Sequence, residues 1–227
     1  MSTLPSAIGL PPPASLLRLL QLSDSAFPTG AYAFSDGLET LTTRGEVRSA
    51  ADLTAFLQGQ LAHGWGPQDA PACALAWGAD VGTLAELDAL LDDLKLVQGP
   101  REASTRIGAS LRRAALHLWP EVGATLPPTR HHAVTFGALA GALGVSRPDA
   151  VTAYVSSWLL GRATSATRLM RLGGLDAQRC ASQCAVAAQT CIDAALSATP
   201  GDLAGFTPLL DLAASEQPGL DSRLFQT

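Results

Sequence analysis

A chain of 227 residues, 47% of them hydrophobic, is long enough to bury one substantial core, since single domains run to about 250 residues before they divide. Only 15% of the residues are charged and the formal net charge is −5; a field of that sign repels phosphate backbones and excludes DNA and RNA as expected ligands. A surface so poor in charge is expected to meet protein partners.

The first residues, MSTLPSAIGLPPPASLL, lack a cationic start and carry three consecutive prolines, so a flexible arm over 1–13 is expected and not a signal peptide. Apolar residues then recur with the helical period, and sustained alternation is hard to find. The expected fold is all-α, a single-domain helical bundle of roughly eight to ten helices over 14–200. Leucines at 16, 17, 19, 20 and 22 mark a first helix over 15–22. It runs into a polar stretch in which Pro28 and Gly30 stop continuation, and a short helix over 35–43 follows. Ser49 is a plausible cap for a helix to about His63, with Asp52 in its first turn, and Gly64 and Gly66 end it.

Pro71 suits the start of the next helix, over 72–79. A helix over 83–97 follows, whose acids Glu86, Asp88, Asp92 and Asp93 read as a solvated face. Another covers 102–118. The segment HHAVTFGALAGALG at 131–144 is apolar nearly all round and should lie centrally. Its small residues, Gly137 and Gly141 among them, should let neighbouring helices approach closely. A long helix from Arg147 to about Leu172 and a last one from Asp176 to Ser197 complete the pattern, and the tail 201–227, with Pro208, Pro218 and Gly219, should be only partly ordered on its own.

The longest uncharged run, 131–146, falls short of the roughly 20 residues that cross a bilayer, so no membrane association is expected. Without an export signal the four cysteines are expected to be reduced thiols in the cytoplasm. Cys180, Cys184 and Cys191 fall on one helix face, where they could hold a soft metal or serve as small buried hydrophobes. His131 and His132 point about 100° apart on a helix and cannot chelate one ion by themselves; the ordinary alternative has one ring packed and the other solvated. No phosphate-binding GxxxxGK[ST] loop, HExxH helix or GxSxG elbow occurs. The chain cannot hydrolyse GTP through a loop of that kind, and no catalytic residue or cofactor is expected.

Five blocks taken together resemble a known family, the urease accessory protein UreF: LLQLSDSAFPTGAYAFSDGLET at 19–40, PREASTRIGASL at 100–111, the 131–144 segment, AYVSSWLLGRATSATRLMRLG at 153–173 and SRLFQT at the end. The chain departs from the family pattern at Asp36 and Gln217, where His is frequent. The resemblance implies an all-helical, dimeric, non-enzymatic protein that joins the accessory protein UreD (also called UreH) and the GTPase UreG on the urease apoprotein during nickel insertion. It implies a partner-binding set of Asp24, Ser25, Tyr32, Ser35 and Glu39 in the opening stretch, Arg101 and Glu102 in the second block, and Arg223, Leu224 and Phe225 in the tail. Glu39 and Glu102 are expected at exposed helix starts, and Tyr32 and Arg223 as a clasp between the two ends of the chain once the tail meets a partner. A helical metal-dependent hydrolase using His131, His132 and a carboxylate, or a nickel store on the Cys180 to Cys191 face, is the competing reading.

Overall fold

The computed structural model describes residues 13–123, 126–220 and 223–226. The arm expected over 1–13 lies outside these residues except for Pro13, which opens the first helix. Among the described residues the chain is all-helical. The helices are α1 (Pro13–Ser23), α2 (Leu38–Thr43), α3 (Ala50–His63), α4 (Trp65–Ala76), α5 (Val81–Leu94), α6 (Gln98–Leu118), α7 (Pro120–Gly123), α8 (His132–Ala142), α9 (Arg147–Leu169), α10 (Gly174–Gln183), α11 (Ala185–Ser197) and α12 (Pro208–Glu216), with three short 3-10 turns. No helix of the described residues is long and apolar enough to cross a membrane.

Twelve helices exceed the expected eight to ten for local reasons. The helix expected from Asp176 to Ser197 is two, because Cys184 leaves helical geometry at ψ 2° and ends α10 as it starts α11. Proline-led segments after Trp119 and Thr207 form the short α7 and α12, Pro being preset for a first helical turn. Pro71 does not start a helix; it lies inside α4. A proline there removes the hydrogen bond to the carbonyl four residues back, and that carbonyl, on Pro67, accepts instead from the Ala204 N–H at 3.2 Å. Capping elsewhere follows the sequence: Ser49 and Asp52 form a reciprocal box at α3, Asp80 caps α5 and Ser146 caps α9.

The apolar interior falls into two large clusters, one around α4, α5, α6 and α8, the other around α3, α9, α10 and α11, with Trp65 packed against both. α8 is nearly sealed, with eight consecutive buried residues from Ala133 to Ala140. Gly137 permits this, because a Cβ there would stand 2.1 Å from the Cys73 carbonyl oxygen on α4. The acids of α5 are not all solvated: Asp88 is 4% exposed. It accepts hydrogen bonds from the backbone N–H groups of Arg130 and His131, each at 2.8 Å, and so holds the entry to α8.

Candidate partner-binding site

The opening stretch is a constrained loop. Asp24 accepts from the Ala26 N–H at 2.7 Å, and Gly30, with φ 75°, leads into a 3-10 turn over Ala31–Ala33. Two successive left-handed residues, Asp36 at φ 51° and Gly37 at φ 83°, then turn the chain into α2. A Cβ on Gly37 would meet Leu210 Cδ1 at 2.7 Å, so the position excludes side chains on steric grounds as well. Asp is among the few residues with a Cβ that enter the left-handed region readily, and Asp36 is held there by an ion pair with Arg162 Nε at 3.1 Å. Arg162, only 7% exposed, also donates to the Phe34 carbonyl.

Glu39, in the first turn of α2, is not at an exposed helix start; it is 3% exposed. Its carboxylate accepts from Gln217 Nε2 at 2.8 Å, from the Leu224 N–H at 2.5 Å and from the Phe225 N–H at 3.2 Å. All three donors belong to the tail. Around this carboxylate the loop and tail pair further: the Gln226 N–H donates to the Ala33 carbonyl at 2.7 Å, and the fully buried Ser35 hydroxyl donates to Gln217 Oε1 at 3.4 Å. Phe225 is buried, with the Arg168 guanidinium 4.6 Å over its ring. Arg106 of α6 reaches Gln226 Oε1 at 3.4 Å and Glu102 at 3.2 Å.

Three segments far apart in sequence thus meet: the opening loop, the start of α6 and the tail. Between them lies a cleft of about 560 Å³ lined by Phe34, Leu96, Glu102, Arg106, Pro218 and Gln226. Asp24, Ser25 and Tyr32 line instead a larger cavity of about 830 Å³ that also reaches Trp65, Trp158 and the Asp69–Lys95 pair. Arg101 donates to the Lys95 carbonyl at 3.5 Å. Of the expected set, Ser35, Glu39 and Phe225 are buried anchors, whereas Asp24, Ser25, Tyr32, Arg223 and Leu224 are exposed. No hydrogen bond or ion pair joins Tyr32 to Arg223 among the described residues; Glu39 links the two ends of the chain. Gln217, Arg162 and Arg168 were missed as anchors, since nothing local in the sequence says which distant groups they meet.

The histidines form a second polar region. Neither ring is free in solvent as one was expected to be. His131 is fully buried, with Nδ1 3.0 Å from Ser104 Oγ and Nε2 3.0 Å from Asp92. Burial, with Lys95 nearby, pushes its pKa down to about 4. His132 packs edge-on against Phe136 and Tyr154, its Nδ1 3.4 Å from the Tyr154 hydroxyl; burial and then the Arg162 charge push it down to about 3. Both imidazoles are therefore neutral packing groups at neutral pH. Cys180, Cys184 and Cys191 are all buried in the second apolar cluster, and burial pushes the Cys191 thiol up to about 11. Among the described residues no group of three or more His, Cys, Asp or Glu side chains could hold a metal ion.

Fold and site together define an all-helical protein in which buried polar groups tie a loop, a helix start and a tail into one surface. The UreF family model matches residues 47–185. The chain is 32% identical to a urease accessory protein UreF of Brucella ovis, over 95% of this chain and 96% of that one. It is 34% identical to one of Methylobacterium sp. (strain 4-46), over 93% and 88%, and 29% identical to one of Trichodesmium erythraeum (strain IMS101), over 92% and 95%. The chain belongs to the UreF family of urease accessory proteins, and it is not an enzyme.

Proposed function

We propose that this chain is a homodimeric, cytoplasmic scaffold that joins UreD (UreH) and the GTPase UreG on the urease apoprotein, so that nickel is inserted and the metallocentre matures. Family membership supports the accessory role. The observation that carries the scaffold reading is the Glu39 carboxylate, which accepts hydrogen bonds from three donors of the tail. A buried carboxylate so used is an anchor, and what it builds is a continuous surface of loop, α6 start and tail.

Tyr32, 69% exposed and lining the larger cavity, and Leu224, 56% exposed in the tail, are the apolar contact residues. Asp24, Ser25, Arg101, Glu102 and Arg223 supply the polar contacts, while Ser35, Glu39 and Phe225 hold the loop and tail together. Tyrosine and arginine are the residue types in which energetic hot spots are enriched. A co-purification with the cognate UreD and UreG tests the reading. Wild-type chain is expected to retain both partners, and the Tyr32→Ala/Leu224→Ala chain to lose at least one while keeping its helical content. Retention of both by that variant overturns it.

A further inference from the structure

Three residues, Lys95, Leu96 and Val97, join the end of α5 to the start of α6. The link is pinned from inside. Lys95 Nζ lies 2.6 Å from Asp69 Oδ2 of α4, and the two side chains are 9% and 3% exposed. The other Asp69 oxygen accepts from the Tyr154 hydroxyl of α9 at 3.5 Å. On the outer side the Lys95 carbonyl accepts from Arg101 Nη1 at 3.5 Å, and the Arg101 N–H donates to the Val97 carbonyl at 3.3 Å. Leu96 is 79% exposed, so burial of its side chain does little to hold the link. Leu96 and Val97 line both cavities. The link is therefore a wall shared by the larger cavity, where Tyr32 lies, and the cleft, where Glu102 and Arg106 lie.

An ion pair withdrawn from water adds little net stability, because desolvation of the two charges offsets their attraction. It does restrict geometry, since separating the partners leaves each charge buried and uncompensated. We infer that Lys95 and Asp69 are positioning residues for partner recruitment: their pair fixes where α6 begins and so places Arg101 and Glu102. The two buried charges act through those residues and not by touching a partner themselves.

The inference rests on the reading that the α6 start docks a partner, and the experiment separates the two. Full-length wild type is compared with Lys95→Met/Asp69→Asn, which removes the ion pair without leaving a buried charge. Amide hydrogen exchange is followed by mass spectrometry, together with unfolding by denaturant and the affinity for purified cognate UreD and UreG. The expected result is an unchanged unfolding midpoint with exchange about tenfold faster at residues 101–105 and unchanged at residues 135–139 of α8. The Kd for at least one partner should rise about tenfold. Should the double variant lose its helical content, Asp69→Asn alone, which conserves size, is held to the same expectations. If wild-type chain binds neither partner, the scaffold reading fails, and the recruitment role of the pair with it. If wild type binds but the variant shows wild-type exchange at 101–105, or wild-type affinity for both partners, the positioning inference alone is overturned. A lowered midpoint with exchange faster throughout the chain also overturns it, because the pair would then be a general support of the fold.

Discussion

Gln217 Nε2 donates to Glu39 Oε2 at 2.8 Å across 178 residues of sequence, and both side chains are shut off from solvent. This contact locks α2 to the 3-10 turn after α12, and the Leu224 and Phe225 N–H groups complete the carboxylate's shell. A buried carboxylate needs its donors, since leaving such a group unsatisfied costs several times what the average hydrogen bond contributes.

Removing the acceptor should therefore release the tail. Glu39→Ala deprives two backbone N–H groups and one amide of their partner, and a loss of about 2 kcal/mol in unfolding free energy is expected by denaturant titration. Trypsin supplies a local reading. The bond after Arg223 lies in the docked segment and is cut only when that segment opens, so the variant should be cleaved there much faster than wild type. Equal cleavage rates would show that Glu39 does not hold the tail.

The α4–α8 contact gives a packing prediction. In Gly137→Ala the new methyl meets the Cys73 carbonyl at 2.1 Å, backbone that cannot swing aside. The helices must separate, and a destabilisation of about 2–3 kcal/mol is expected by thermal or denaturant unfolding. Gly174→Ala, where a Cβ meets nothing within 4 Å, should be tolerated within about 1 kcal/mol.

Stability should depend on pH through the histidine pair. His131 and His132 titrate near 6.5 when unfolded but are pushed down to about 4 and about 3 in the folded chain. Between those values the unfolded state binds more protons, so stability rises with pH across the window. The contribution is complete above about pH 6.5 and is lost as the pH falls toward 4. His131→Asn should flatten part of this slope, read from unfolding free energies at pH 5 and pH 7.5. A wild-type slope of zero or the reverse sign over that range would contradict the burial of both rings.

The three cysteines of α10 and α11 and their junction should matter to packing alone. Replacing Cys180, Cys184 and Cys191 by Ala opens small voids in the second apolar cluster, at a cost of about 1 kcal/mol each. Urease activation should survive wherever the variant still folds. Loss of activation by a fully helical triple variant would return the metal-store reading to favour.

Much of the fold was legible because local chemistry decided it. Ser49 and Asp52 announce the start of α3, the leucines of α1 keep the helical period, and the glycines of 131–144 mark a helix that neighbours approach closely. What was illegible depends on distant partners. Pro71 reads as a start until Ala204 is seen to satisfy the carbonyl it strands. Asp88 and Asp92 read as solvated until the backbone and ring of His131 arrive. Glu39 illustrates the same limit at the site. An acid in a first helical turn is ordinarily an exposed dipole partner, and only the return of the tail turns it into a buried anchor. The family resemblance named the three segments that the structure brings together, but which of their residues are buried and which exposed comes from the three-dimensional arrangement.

The most direct measurement is the affinity of UreG for the complex of this chain with UreD, comparing wild type with Glu39→Ala. The anchored tail predicts a substantial loss, about tenfold or more in Kd, because the loop that carries Tyr32 and the tail that carries Leu224 and Arg223 are no longer held together while the helical content of the chain is unchanged. Equal affinities for the two proteins, with the tail of the variant shown by trypsin to be released, would contradict the account.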